Sequence, residues 1–382
     1  MLDPIRLLRD LVAIGSVNPM GRELSGPWVG EGRLTEFLLR LLRDTGIPCD
    51  LQAVEPGRSN VLARVDVPGA RNTVLFEVHQ DTVPVDGMSI PPFSAEVRDG
   101  KVWGRGSCDV KGGMAAMITA VERLFRERPR GASSVLLAFA VDEECGFAGV
   151  RRLVRDLGEV SMAVVAEPTR LEVVRAHKGV ARWIVRTEGR SCHSSAPERG
   201  VNAIYRMAPV IEAIEEYGRE VLARPVHPLL GSASISVGLV RGGLSVNTVP
   251  AECLIEVDRR LLPGEDGASA MASCRRYVTE RPGVTGPVAF EAPYLLDPAL
   301  ETAEAAEVVQ RAARAVRRMT GSCGIGGVPY GTDGSKIAEA GVPTVVLGPG
   351  DIAQAHTAAE WIDMEEVRKA AEIYYGFLTD GT

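Results

Sequence analysis

No stretch of this chain is apolar for long enough to cross a bilayer. The longest such run, VLLAFAV at 135–141, falls far short of the roughly 20 residues a spanning helix takes. Positive charge is not in excess either: 43 Lys and Arg against 50 Asp and Glu leave a formal net charge of −7. Such a surface repels nucleic acid and anionic lipid as principal partners. The seven cysteines, at 49, 108, 145, 192, 253, 274 and 323, contain no CxxC pair. That pattern suits reduced thiols in a cytoplasm better than a disulfide framework or a thiolate zinc site. In MLDPIRLLRDLVAIGS, Asp3, Arg6, Arg9 and Asp10 interrupt the leucines, so an amphipathic helix is expected rather than a secretion signal. Two catalytic signatures are missing as well. There is no GxSxG, and in GRGSCD the acid Asp109 stands where a dinucleotide-binding turn needs its third glycine, where it would repel a pyrophosphate. Cys192 beside His193 makes a poor nucleophile and base, because neighbours in a strand point apart.

What is there reads as two domains. The 382 residues, 45% of them hydrophobic, suffice for two cores. In the first half, β-prone runs at 60–67, 72–79, 133–142 and 162–168 alternate with helical stripes. One stripe carries Leu34, Phe37, Leu38, Leu41 and Leu42, the other Met114, Met117, Ile118, Val121, Leu124 and Phe125. This alternation predicts an α/β catalytic domain with a helix-covered, mostly parallel sheet. After about residue 178 the pattern becomes one-sided: VARWIVRTEG, a helix in VNAIYRMAPVIEAIEEYGREVL, then SASISVGLV and AECLIEVDRRL. A smaller α+β domain over 179–292 is expected, inserted between 1–178 and 293–382. An Ala-rich helix at 301–319 and the strand PTVVLG would complete the first domain.

Chemistry-bearing residues gather at expected strand ends, where ligands of such sheets collect. His79 and Asp81 close VLFEVHQDTVPV; Asp109 lies in GRGSCDVKGG, Glu143 and Glu144 in VDEECG, Glu167 in VAEPT and His356 in PGDIAQAHTAAE. Any one alone is a satisfied core residue or a solvated loop acid. Together, two histidines and several carboxylates form a ligand set for two divalent ions such as zinc. Carboxylates crowded at the end of a buried sheet would otherwise repel one another. Adjacent Glu143 and Glu144 point different ways, so one can bind metal and the other act as a base. Asp81 is placed to hold the unliganded ring nitrogen of His79.

These segments, with GRSCHSSAPERGVNAI, NTVP, DRRLLP, GTDGS and LGPGDIAQAHTAAEWI, resemble, in order and over essentially the whole chain, one metallopeptidase family. It contains acetylornithine deacetylase, succinyl-diaminopimelate desuccinylase, aminoacylase and glutamate carboxypeptidase. The resemblance implies a zinc-hydrolase catalytic domain and a ferredoxin-like lid that serves as the dimerisation surface, hence a homodimer. It implies two divalent ions, zinc first, with cobalt or manganese as alternatives. Asp109 would bridge them, His79 and Glu167 completing one site and Glu144 and His356 the other; Glu143 would be the base, Asp81 the partner of His79, and the Asp109–Val110 bond cis. His193, Asn247 and Arg259 match lid residues that meet the substrate; for Arg259 a strand-end salt bridge is an equal alternative. Gly331, Thr332 and Asp333 fall in a substrate loop. His177 and His227 receive no role.

The implied reaction is hydrolysis of a linear amide in an N-acyl amino acid or short peptide. LGPGDIAQAH resembles the acetylornithine deacetylase wording, whereas GTDGSK at 331–336 departs from it. Asp333 is expected to face a substrate ammonium, Lys336 a succinyl carboxylate, or both to face solvent. A silent metal- and peptide-binding module would lack Glu143 or His193, and both are present.

Overall fold

The computed structural model describes residues 1–223 and 225–380, and they form two compact units. The first comprises Met1–Arg175, Thr302–Gly326 and the chain from Thr332 onward; the second is Ala176–Glu301 with Gly327–Gly331. Residues 293–301 and 327–331, expected in the catalytic part, therefore cluster with the second unit. For 293–301 the reason is a strand of three residues, Leu295–Asp297, which pairs antiparallel with Gly179–Glu188. So short a strand leaves no periodicity to read.

The first unit is built on a mixed sheet whose strands run in the order Cys49–Glu55, Arg58–Val65, Ser134–Ala140, Thr73–His79, Met162–Val165, Thr344–Val346, Val173–His177. The four from Ser134–Ala140 to Thr344–Val346 are mutually parallel, and the flanking pairings are antiparallel. Ser134–Ala140 is buried at every position, which is why it reads as an unbroken apolar run rather than an alternating one. Val74, Phe76 and Val78 face a core shared with the helices Pro4–Val12, Gly32–Thr45, Gly112–Glu127, Glu307–Thr320 and Met364–Leu378. Phe76 packs against Tyr374 and Phe377, ring centroids 5.4 and 6.0 Å apart. The N-terminal helix forms as its sequence predicts, with Asp3 accepting from the N–H groups of Ile5 and Arg6 and Pro4 in its first turn. The helix expected at 301–319 begins at Glu307, because Thr302 is held by Arg175 and Thr344.

In the second unit, Gly179–Glu188, Ser234–Gly242, Glu252–Leu261 and Val288–Phe290 form an antiparallel sheet. Its spatial order is Ser234–Gly242, Glu252–Leu261, Gly179–Glu188, Val288–Phe290. With the helices Ala203–Glu220 and Gly267–Thr279 in sequence between them, this is the βαββαβ succession of ferredoxin-like units. Glu252–Leu261 buries alternate residues, and Cys253, Ile255 and Val257 pack with Trp183, Met207, Ile214, Tyr217 and Cys274. Ser234–Gly242 is an edge strand and largely exposed. Among the described residues no helix is long and apolar enough to cross a membrane.

Candidate metal centre

The parallel centre of the first unit's sheet aligns three strand ends. His79 is the last residue of Thr73–His79; Glu143 and Glu144 follow Ser134–Ala140, and Glu167 follows Met162–Val165. Asp109 comes from the turn before Gly112–Glu127, and His356 from the loop after Thr344–Val346. The structure brings these residues together as two groups that share Asp109: His79 with Asp109 and Glu167, and Asp109 with Glu144 and His356. Within each group the ligand atoms lie within 4.8 Å of one another. Asp109 Oδ1 is 3.0 Å from His79 Nε2 and its Oδ2 is 3.3 Å from His356 Nε2. Glu167 Oε1 stands 3.8 Å from His79 Nε2, and Glu144 Oε1 3.4 Å from His356 Nε2. The Asp109–Val110 peptide bond is cis.

The electrostatics fit cations at both places. Burial, joined by neighbouring negative charge, pushes the Glu143 and Glu167 carboxyls well above the usual range, and burial with the charge of Asp109 raises Glu144. Burial would raise Asp109 too, but its contacts with His356 and His79 prevail and hold it below the ordinary value. Desolvation works against charge on His79, yet Asp109, Glu167 and Glu143 keep that ring well above its usual pKa. Contact with Asp109 and then Glu144 lifts His356 to about 10. Without metal the cluster therefore stores protons where positive ions would otherwise stand. Among the described residues the buried Glu144 Oε1 accepts no hydrogen bond of good geometry, only the 3.4 Å approach of His356 Nε2, as expected of an oxygen open to an ion. Imidazole nitrogens and carboxylate oxygens without a thiolate suit zinc and its divalent neighbours.

The surrounding shell corrects one expectation. The Nδ1 of His79 bonds to the main-chain oxygen of Asp81 at 2.9 Å, whereas the Asp81 carboxylate is 3.7 Å away. That carboxylate is occupied elsewhere: it accepts the N–H groups of Glu143 and Glu144, both at 3.1 Å, and the Asn18 amide at 2.8 Å. Asp81 thus orients the ring through its backbone and the acidic loop through its side chain. A proton on Nδ1 would leave Nε2 free to take a metal ion. Glu360, to which the sequence assigned nothing, is fully buried; its Oε1 accepts the N–H groups of Cys108 and Asp109 at 2.9 and 3.1 Å, and its Oε2 meets Arg105 at 2.6 Å. It stands four residues past His356 with no local pattern to announce it.

Thr332 and Asp333 lie in the first unit, Gly331 in the second. Thr332 is buried, its hydroxyl accepting from the N–H of Gly334 at 3.1 Å. Asp333 and Lys336 are buried, 1% and 4% exposed, so the solvent-facing alternative does not hold for either. Burial raises Asp333 to about 7 against the opposing charge of Lys336. The neighbouring buried carboxyl of Glu77 is pushed well above its usual range, chiefly by burial and then by the charge of Asp333.

The remaining expected substrate residues lie in the second unit. His193 is exposed, with Nδ1 2.8 Å from Ser195 Oγ, and Asn247 is exposed on the adjoining loop, its carbonyl accepting from the N–H of Ser194 at 3.0 Å. Arg259 is 1% exposed and its fork is engaged: Nη2 meets Glu265 at 2.8 Å and Nη1 donates to the carbonyl of Arg260. The salt-bridge alternative is the arrangement observed, rather than an open carboxylate clamp. His177 is fully buried, and His227 stands 3.2 Å from Glu301.

A model of Peptidase family M20/M25/M40 matches residues 75–380. Acetylornithine deacetylase from Myxococcus xanthus is 31% identical over 341 residues, 86% of this chain and 83% of that protein. Among solved structures, an M20 family metallo-carboxypeptidase from Sulfolobus solfataricus has a TM-score of 0.82 at 18% identity, covering 99% of each chain. A dinuclear metal-binding M20 peptidase from Bacillus subtilis has a TM-score of 0.71 at 18% identity, covering 98% of this chain and 96% of its own. At these identities the structures speak for the fold. With a family match over most of its length and a relative above 30% identity, the chain belongs to peptidase family M20/M25/M40.

Proposed function

We propose that this metallohydrolase removes the acyl group from an N-acyl amino acid, with Nα-acetyl-L-ornithine as the first candidate. The observation that carries the reaction is the pair of three-ligand groups sharing Asp109, beside a further acid, the half-buried Glu143, that belongs to neither. The candidate substrate comes from the 31% identity to a protein named acetylornithine deacetylase. Two divalent ions, zinc first and cobalt or manganese as alternatives, would be held by His79, Asp109 and Glu167 and by Asp109, Glu144 and His356; when bound they acidify a water and polarise an amide carbonyl.

Glu143 takes the proton from the attacking water and returns it to the leaving amine. Its raised proton affinity, caused by burial, suits both halves of that exchange. Asp81 holds the main chain of the base in place through its N–H. We assign to His193 the donation of a hydrogen bond to the carbonyl oxygen as charge develops there, and to Asn247 contact with the substrate. Arg259 would join them only by exchanging its partner Glu265 for a substrate carboxylate. A dipeptide or carboxypeptidase substrate is the second reading, favoured by the fold likeness to the Sulfolobus solfataricus enzyme; a succinylated diamino acid is the third. A homodimer through the second unit is proposed as well. Its edge strand Ser234–Gly242 leaves Leu239 and Val240 47% and 62% exposed, the kind of unpaired edge that another strand can extend.

The test is a panel: acetylornithine, succinyl-diaminopimelate, other N-acetyl amino acids and a dipeptide, presented to metal-stripped protein with and without zinc or cobalt. Metal-dependent hydrolysis led by acetylornithine supports the proposal, and another leading substrate would move it to the second or third reading. Glu143→Ala should abolish turnover, a loss of about 10²–10⁴-fold, while two metals stay bound. Loss of metal in that variant would overturn the assignment of Glu143 as base.

A further inference from the structure

Behind the ligands, a run of polar contacts ends on the main chain of Glu143 and Glu144. Their loop leaves the strand Ser134–Ala140 through Asp142, whose backbone is left-handed at φ 67°. Residues with side chains seldom adopt that conformation, and they do so where surroundings enforce it. Here Asp142 is held on every side. Its N–H donates to Glu31 Oε1 at 3.3 Å, and its Oδ1 accepts from Arg58 Nη1 and from the Asn18 amide, each at 2.9 Å. Its carbonyl accepts the N–H groups of Gly146 and Phe147 at 3.2 and 2.6 Å, closing the loop. Arg58 in turn grips both oxygens of Glu31, one through Nε at 3.0 Å and the other through Nη2.

Asn18 joins this assembly to the metal centre. One amide hydrogen goes to Asp142 and the other to Asp81 Oδ2, at 2.8 Å. That is the carboxylate whose two oxygens receive the N–H groups of Glu143 and Glu144. The Asn18 Oδ1 accepts from the N–H of Met20 at 2.9 Å, so the amide can face only one way. Asn18, Glu31 and Asp81 are each no more than 2% exposed. Asp81 and Asp142 are like charges brought close, and the Asn18 amide with the Arg58 guanidinium is what reconciles them. Neither Asn18 nor Arg58 belongs to either ligand group.

We propose that Asn18 and Arg58 are positioning residues for hydrolysis, fixing the main chain of Glu143 and Glu144 through Asp81 and Asp142. The inference rests on the base role given above to Glu143. A base displaced by a fraction of an ångström loses its line to the water, and outer contacts of this kind are typically worth about 10- to 100-fold in activity.

The experiment compares Asn18→Ala, Arg58→Gln and their double variant, with Arg58→Lys as the conservative change, in metal-loaded protein well below its melting temperature. Each single variant should lower kcat about 10-fold or more with KM within about twofold. The double variant should be little worse than the poorer single, because both act through Asp142; Arg58→Lys should recover part of the loss. Amide hydrogen exchange should quicken over 142–148 and stay slow in 134–140 and 112–127. Additive losses, a KM effect alone, or unchanged exchange over 142–148 would overturn the proposal. If Arg58→Gln does not fold, Asn18→Ala decides with the same readouts. Were the wild type to hydrolyse none of the panel, the base assignment would fall. The exchange result would then decide by itself whether Asn18 and Arg58 hold this loop.

Discussion

Loading the centre with metal should expel protons, and the count follows from the cluster. Burial alone would discharge His79, but Asp109, Glu167 and Glu143 hold its proton well above the ordinary pKa. His356 is held up to about 10 by Asp109 and Glu144. Both rings are therefore imidazolium in the stripped protein at neutral pH, and both must be neutral to bind metal. Uptake of two ions should release about two protons, for which the rings compete with the raised carboxyls of Glu144 and Glu167. Since protons are products of binding, affinity rises with pH. The pair of ions should gain about 2.7 kcal/mol per pH unit, 1.36 for each proton, and the slope should flatten as pH approaches the His356 value of about 10. Calorimetric titration of stripped protein with zinc, in two buffers of different ionisation heat, gives the proton count directly. A count near zero at neutral pH, or an affinity that ignores pH between about 6 and 8, would refute the reasoning.

Three further outcomes are expected. Glu360→Ala leaves the Arg105 guanidinium, 3% exposed, without its partner and the N–H groups of Cys108 and Asp109 without an acceptor; removing one member of such a pair costs about 3–5 kcal/mol. The melting temperature should fall by roughly 5 °C, and by clearly less in Glu360→Gln, which keeps an acceptor; equal falls in thermal melts would contradict this. Native labelling with iodoacetamide, read by mass spectrometry, should modify exposed Cys145 early and spare Cys108 and Cys274, whose thiols burial pushes up, in Cys274 to about 12. Rapid modification of Cys274 would argue against that packing. His193→Ala should lower kcat about 10²–10³-fold; if the histidine serves the partner subunit, mixing it with the Glu143→Ala variant should restore activity, and demonstrated heterodimers without activity would count against action in trans.

Much of the gathering of these side chains was legible because the candidate ligands occupy positions with a topological reason. His79, Glu143, Glu144 and Glu167 follow three adjacent parallel strands, and a strand end can be read from an apolar run meeting a polar loop. The residues that hold those ligands could not be found that way. Asn18, Glu31, Arg58 and Glu360 sit in a loop, at a helix start, at a strand start and before a short strand. They come together only when the sheet does, with sequence separations of 124 for Asn18 and Asp142 and 251 for Glu360 and Asp109. Asp81 shows a subtler limit: the spacing from His79 located the right residue, but spacing cannot tell a carbonyl from a carboxylate. The pairing of Leu295–Asp297 with Gly179–Glu188 could not be read because that strand is three residues long. Burial of Asp333 and Lys336 was hidden by their charge, since isolated charged residues normally stay in water.

The discontinuity of the first unit sets an order on the ribosome. Its first three-ligand group is encoded in full once Glu167 has been made, whereas the second waits for His356, after all of residues 176–301 have been added. The helix Met364–Leu378, which covers Phe76, comes later still. The growing chain therefore passes through a stage with one complete ligand group and an apolar sheet face only partly covered. Chains emerge at about 5–20 residues per second, so that stage lasts on the order of ten seconds or more. During it a nascent chain is open to premature capture of a single ion and to sticking through the part of that face that Glu307–Thr320 and Met364–Leu378 will cover. Stalled chains ending between residues 167 and 356 are where both liabilities should be greatest.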